Sequence, residues 1–202
     1  MVNKINEKVI DKLLRSDGLD GMRPVMAAVF GAHWEANESL CGTPRRFLKY
    51  LGEFIQPINI DDIFHTFPIE EKHPGMVIQS RIPFRMVCEH HLLPATGVAA
   101  LGYVPHERVI GLSKMTRLVQ AVGTEIPSLQ EHITQRIIDL MDEHLKPKGT
   151  MIITKATHGC MACRGVNSPE VVTTSSCVSG IFRDVLSARE EFLSLIQTEM
   201  GM

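Results

Sequence analysis

The stretch MVIQSRIPFRMVCEHHLLPATGVAALGYV, residues 76–104, decides the fold. Its first part, Met76 to Val87, is rich in β-branched residues with partial alternation and reads as a strand. Ala95 to Val104 reads as a second strand, ended by Pro105. Between them Cys88-Glu89-His90-His91 sits in a turn that ends at Pro94. Outward from this hairpin, Ser113 is placed to cap a short helix carrying Met115, Leu118, Val119 and Val122. Pro127 starts a longer helix with Ile133, Ile137, Met141 and Leu145 at four-residue spacing, closed by Pro147 and Gly149. Ser128-Leu-Gln-Glu131 has the pattern of a capping box. Thr150–Ala156 and Val171–Val178 read as two more strands. Ser187-Ala-Arg-Glu190 reads as a capping box for a last helix with Phe192, Leu193 and Ile196. The order strand, strand, helix, helix, strand, strand predicts an α+β fold: an antiparallel sheet with helices on one face. A four-stranded sheet leaves exposed edges, so it is expected to close against copies of itself.

The N-terminal third has a different period. Residues 4–15 place Ile5, Val9, Ile10, Leu13 and Leu14 on one helical stripe. Thr43-Pro44 opens another helix, with Thr as cap and Pro in the first turn, and Phe47, Leu48, Leu51, Phe54 and Ile55 form its apolar face. Residues 56–75, rich in Pro, Asp, Glu and His, read as an irregular linker. Residues 1–75 are therefore expected to be a helical accessory to a main domain spanning 76–202.

Composition limits what such a chain does. With 202 residues, one domain with an appendage is expected. Apolar residues at 44% and charged residues at 22% exclude a disordered or collagen-like chain. Aromatics are only 5%, so the core must be largely aliphatic, with eleven Met as fillers. A net charge of −2 argues against a general nucleic-acid binder but leaves room for one small anion held by a local cluster of Arg and Lys. No apolar run approaches the ~20 residues of a membrane span, and the start of the chain has no secretory apolar region. A cytoplasmic protein is expected, with no membrane partner. The five cysteines then read as reduced thiols or metal ligands rather than a disulfide framework.

The densest reactive cluster is Cys88-Glu89-His90-His91, and the second is His158-Gly159-Cys160-Met161-Ala162-Cys163-Arg164-Gly165. Each follows a strand, and each hairpin contributes one. Any one of these residues alone is more often an ordinary buried thiol or a solvated imidazole. Two turns placed alike make that reading weak, because thiolate with imidazole is the zinc-preferring pair. A closed structural site would use Cys88, His91, Cys160 and Cys163, and an open catalytic site would use three ligands and a water. Spacing does not separate the two. His90 and His158, left beside the metal with no structural task, favour the open site, where a zinc-bound water titrates near pH 7 and an imidazole can move its proton. Ser113, Lys114, Arg117, Arg164 and Arg46 form a basic and hydroxylic set, with Gly111-Leu-Ser-Lys114 a phosphate-binding corner at a helix start.

These residues resemble those of GTP cyclohydrolase I from about Thr43 to the C-terminal helix. The resemblance rests on Thr43-Pro-Arg-Arg46, Cys88-Glu-His-His-Leu-Leu-Pro94, Tyr103-Val-Pro105, Val109-Ile-Gly-Leu-Ser-Lys114, Gln130-Glu131 and His158-x-Cys-Met-x-x-Arg-Gly-Val166. It implies the tunnelling fold (T-fold), a ββααββ unit whose sheets join into a barrel, with toroidal homodecamers and active sites between subunits. It implies zinc on Cys88, His91 and Cys160, with Cys163 standing where the family uses no ligand. His158 matches a histidine that protonates the purine imidazole ring, and His90 one implicated in later proton transfers. Ser113, Lys114, Arg117 and Arg164 match residues near the triphosphate and ribose, and Arg46 matches an arginine supplied to the triphosphate by a neighbouring subunit. Gln130 and Glu131 fall where the family reads guanine. The implied reaction turns GTP and water into 7,8-dihydroneopterin triphosphate and formate, the opening step of folate, biopterin or deazaguanine routes. Gly123-Thr-Glu-Ile-Pro-Ser-Leu129 departs from the family, which has a basic Arg-Arg-Pro-Gln-Val stretch there. Two other functions stay in view: a relative with shifted nucleotide preference, and a non-catalytic, zinc-stabilised GTP-binding assembly protein.

Overall fold

The computed structural model describes residues 10–69 and 75–200, the side chains of residues 16 and 17 excepted. The chain divides into two compact units, Met1–Pro57 and Ile58–Met202. In the first, α1 (Ser16–Phe30) is followed by a 3-10 turn (Trp34–Ala36) and α2 (Thr43–Phe54). Among its described residues Met26, Trp34, Pro44, Leu48 and Leu51 are buried. Residues 10–13 are helical as the stripe predicts, while Ile5 and Val9 lie outside the described residues. Thr43 is not the cap of α2. Gly42 holds that position, and Thr43 is the first helical residue, its Oγ1 accepting a hydrogen bond from Arg46 Nη2 at 2.8 Å.

The second unit runs α3 (Ile60–Ile63), β1 (Thr66–Pro68), β2 (Val77–Val87), β3 (Pro94–Val104), β4 (Arg108–Ile110), α4 (Leu112–Glu125), α5 (Gln130–His144), β5 (Gly149–His158), α6 (Gly159–Ala162), β6 (Thr173–Val178), α7 (Ile181–Asp184) and α8 (Leu186–Met200). The expected irregular linker thus contains a helical turn and a strand. β1 pairs antiparallel with β4, and Ile58, Ile60, Ile63 and Phe64 pack into the core of this unit. Apolar side chains among the Pro, Asp and His explain why this stretch orders.

The main sheet has the order β2-β3-β5-β6, with the three pairings antiparallel. Alternation along β3 and β5 divides their side chains between two cores. Ala99, Leu101, Tyr103, Ile152 and Ala156 face α4 and α5, packing with Met115, Leu118, Val119, Ile137 and Met141. Each of these large side chains, fully buried, contributes roughly 1.5–3 kcal/mol of transfer free energy. Ala100, Met151 and Ile153 face the other way, onto Phe182, Phe192, Ile196 and Met200. The helix pair covers one face as predicted, but the C-terminal helix covers the opposite one. This is a correction to a sheet with helices on a single face. Near-continuous apolar runs in β3 and β5 are its physical cause, since both faces of those strands must be buried.

Three capping expectations also fail. α4 begins at Leu112 after Gly111, so Ser113 lies inside its first turn. α5 begins at Gln130 with Leu129 at the cap and no side-chain capping bond, three residues after Pro127. Ser128 is used elsewhere: its N–H donates to Val87 O at 2.9 Å and its carbonyl accepts from Glu89 N–H at 3.3 Å. α8 begins at Leu186, which places Ser187 inside the helix. Among the described residues no helix is long and apolar enough to cross a membrane.

Candidate metal centre

Antiparallel pairing explains how two turns 70 residues apart meet. β3 and β5 pair with Ala95 opposite His158, so the turn entering β3 lies beside the turn leaving β5. The strands approach so closely that a Cβ on Gly97 would stand 1.9 Å from Lys155 O, which only glycine permits. Gly159 repeats this at the strand end, where a Cβ would meet Pro94 O at 2.8 Å. The turn before β3 closes on itself: Leu92 N–H donates to Cys88 O at 2.8 Å and Cys88 N–H to Leu93 O at 2.9 Å. Leu92 takes a left-handed conformation at φ 52°, a strained choice held by those bonds. Cys88 is further fixed by a parallel bridge to Ser128.

The result is a cluster of Cys88, His91 and Cys160 whose candidate ligand atoms all lie within 4.8 Å of one another. Cys88 Sγ is 3.9 Å from His91 Nδ1. A tetrahedral zinc with ordinary Zn–S and Zn–N bonds has S···N and S···S edges of about 3.6 and 3.8 Å, so closure needs a contraction of about 1 Å or less. The donor set, two thiols and an imidazole, is of the type zinc prefers. Cys163 is not in the cluster; its thiol donates to Gly159 O at 2.7 Å. Cys88 is buried, Cys160 half-buried and His91 exposed, leaving one side open. Burial pushes the Cys160 thiol above its ordinary range, and the neighbouring Cys88 adds to this, so a metal must displace a firmly held proton.

The other expected residues fall into groups. Arg164 Nη1 donates to His91 Nε2 at 2.8 Å, a bond that gives way when a metal takes Nδ1, because Nε2 then carries the ring proton. His158 Nε2 lies 2.7 Å from Gln130 Oε1. Burial lowers the His158 pKa, while the Glu131 carboxylate acts in the opposite direction. His90 is exposed, with Glu89 Oε1 at 3.9 Å. Ser113, Lys114 and Arg117 lie on the first two turns of α4, Ser113 and Arg117 exposed and Lys114 Nζ bonded to the Asp62 carbonyl. Arg46 belongs to the first unit, where its Nη2 bonds Ser39 O and Thr43 Oγ1.

Sequence reading missed the Gln130–His158 bond and the Arg164–His91 bond. The first had a signal. Thr154 and His158 share a strand face with Ile152 and Ala156, and a threonine in an apolar row needs a polar partner from the covering helix. The altered segment around Glu125 lines a separate cavity of about 480 Å³ with His132, Arg136 and Asp139, and none of the expected site residues borders it.

A family model described as GTP cyclohydrolase I matches residues 23–197. The chain is 41% identical over 162 residues to GTP cyclohydrolase 1 of Geobacillus kaustophilus (79% of this chain, 86% of the relative). It is 42% identical over 164 residues to GTP cyclohydrolase 1 of Halalkalibacterium halodurans (80% and 87%). It is 41% identical over 180 residues to GTP cyclohydrolase 1 of Listeria monocytogenes serotype 4b (88% and 94%). A family model spanning most of the chain, and relatives matched over nearly their whole length, agree with the motifs and the Cys–His–Cys cluster: the chain belongs to the GTP cyclohydrolase I family.

Proposed function

We propose that this chain is a GTP cyclohydrolase I, converting GTP and water to 7,8-dihydroneopterin triphosphate and formate in the cytoplasm. The observation that carries the reading is the convergence of Cys88, His91 and Cys160 beside His158 in a chain of this family. Cys88, His91 and Cys160 would hold zinc, which supplies a water activated near neutral pH. His158 sits one residue before the α6 turn, where its imidazole can give a proton to the ring nitrogen of the purine as C8 is hydrolysed. Two hydrolytic steps release C8 as formate, after which the opened ribose closes onto the freed amine. His90, exposed beside the ligand turn, serves the later proton transfers.

Binding falls to the charged groups around the open side. Arg164, Ser113, Lys114 and Arg117 bind the triphosphate and ribose, with Arg46 supplied by a neighbouring subunit, and Glu131 accepts the guanine N–H groups. A site that must hydrogen-bond those groups discriminates strongly against a purine lacking them. Holding the nucleotide by its phosphates fixes C8 in place. Residues 76–202 are read as the catalytic T-fold part, with residues 58–68 packed into the same compact unit, and the helical residues before Ile58 as its accessory. The sheet ends in β2 and β6 with no further strand on either edge among the described residues, which supports closure into a barrel within a toroidal decamer.

The test is turnover. Zinc-loaded protein incubated with GTP should release formate and a product that becomes a fluorescent pterin on oxidation. Absence of both rejects the assignment. Comparing GTP with GDP, dGTP and ATP in the same assay reports nucleotide preference.

A further inference from the structure

Gln130 is the first residue of α5 and is 1% exposed. The family resemblance puts it among the residues that read guanine. Its amide is already engaged inside the protein, with both N–H donors spent on internal acceptors. Nε2 lies 2.9 Å from Thr154 Oγ1, 3.2 Å from Thr154 O and 3.1 Å from Thr173 O. Two of these partners are backbone carbonyls, which only accept, so the amide nitrogen must face them and the amide cannot be turned over. Thr154 Oγ1 spends its own hydrogen on Ser175 O at 3.4 Å, which leaves it an acceptor for Gln130. Gln130 Oε1 therefore faces His158, and among the described residues its hydrogen-bond partner is His158 Nε2 at 2.7 Å. An amide oxygen accepts and never donates, so His158 Nε2 carries the proton.

We propose that Gln130 is a positioning residue for His158 rather than a reader of guanine: it fixes the ring's rotation and tautomer and makes Nδ1 the nitrogen that exchanges a proton with the substrate. The inference rests on the functional reading above for the identity of the substrate, and on geometry alone for the tautomer. In the proton-transfer step the imidazolium form gives its Nδ1 proton to the purine ring nitrogen and the N–H electron pair stays on Nδ1. The neutral ring that remains keeps Nε2–H on Gln130 Oε1, and Nδ1 regains a proton from solvent hydronium before the next turnover. The arrangement follows a general logic, in which a buried acceptor on one imidazole nitrogen decides which tautomer the other presents. Guanine selection is then left to Glu131, which is exposed at the next position.

The experiment has two arms. Zinc-loaded protein labelled with ¹⁵N at histidine is studied by two-bond nitrogen–proton correlation, with the His158 signals identified by their loss in His158→Asn. The expected result is a neutral ring protonated at Nε2, and a ring protonated at Nδ1 overturns the proposal. In the second arm, Gln130→Met keeps the side-chain length and removes the bonds. It should lower kcat about 10- to 100-fold, as loss of an orienting partner does, with the dissociation constant for GTP and the preference for GTP over ITP unchanged. A loss of GTP affinity and of GTP-over-ITP preference with kcat intact overturns it. Should Gln130→Met not fold, the first arm still decides, since it uses the unaltered protein. Failure of the functional reading shows separately, as unaltered protein that forms no pterin, and the tautomer measurement does not depend on turnover.

Discussion

Replacing Gly159 with alanine tests whether the contact between the two turns builds the metal centre. The added Cβ would stand 2.8 Å from Pro94 O, 3.4 Å from Leu93 Cβ and 3.7 Å from Pro94 Cδ. A carbon rarely approaches a carbonyl oxygen closer than about 3.3 Å, so backbone must give by about 0.5 Å. The neighbour is a backbone atom paired into the sheet, not the end of a flexible side chain, so the α6 turn is the part that moves. Cys160 is the next residue, and a metal site tolerates about 0.2 Å of error in its ligand distances. The displacement exceeds that tolerance more than twofold. Gly159→Ala should therefore weaken zinc binding by about 10- to 100-fold, the scale seen when a ligand's support is disturbed. The fold itself should lose about 1–3 kcal/mol, the ordinary cost of overpacking. Gly21→Ala is the control: nothing lies within 4 Å of its added Cβ, and alanine in a helix interior gains roughly 0.5–1 kcal/mol over glycine. Zinc affinity is read by competition with a chromophoric chelator under reducing conditions, and stability by urea denaturation of metal-free protein. A folded Gly159→Ala protein with the affinity of the unaltered chain would refute the reasoning.

Three further outcomes follow from the same geometry. Cys163→Ala should keep its zinc and its turnover, because that thiol points at Gly159 O rather than into the cluster; loss of bound zinc in metal analysis would favour a closed four-ligand site. Zinc affinity should fall as pH is lowered, because burial and the neighbouring Cys88 raise the Cys160 thiol's pKa and zinc must displace its proton; a fall in chelator competition between pH 8 and 6.5 no steeper than one imidazole accounts for would tell against thiolate ligands. Phe192→Ala should destabilise the protein by about 3–5 kcal/mol in urea unfolding, since the ring is fully buried and meets Phe182 edge-on at 5.8 Å; a change near zero would show that the second core does not contribute to cooperative folding.

Most of the sheet was legible because β2, β3, β5 and β6 carry β-branched and small residues between clear turn signals. The helix pair was legible from four-residue spacing. What escaped were features set by tertiary contact. Ser128 looks like a cap, yet its backbone is committed to the end of β2, so the cap falls one residue later, on Leu129, and α5 starts at Gln130. The second core under α8 leaves no period in the sequence, since a strand buried on both faces simply reads as apolar. At the site, Cys88, His91 and Cys160 stood out because Cys and His recur in both turns. The roles of Gln130 and Arg164 did not, because hydrogen-bond direction depends on the carbonyls of Thr154 and Thr173 and on the ring of His91, which only the folded chain brings near.

The central claim is that three side chains from two turns hold a metal and leave one position open. X-ray absorption at the zinc edge of loaded protein tests it most directly. Two sulfur neighbours at about 2.3 Å, with one nitrogen and one further light atom at about 2.0–2.1 Å, are predicted. Three sulfurs, or none, would contradict the account.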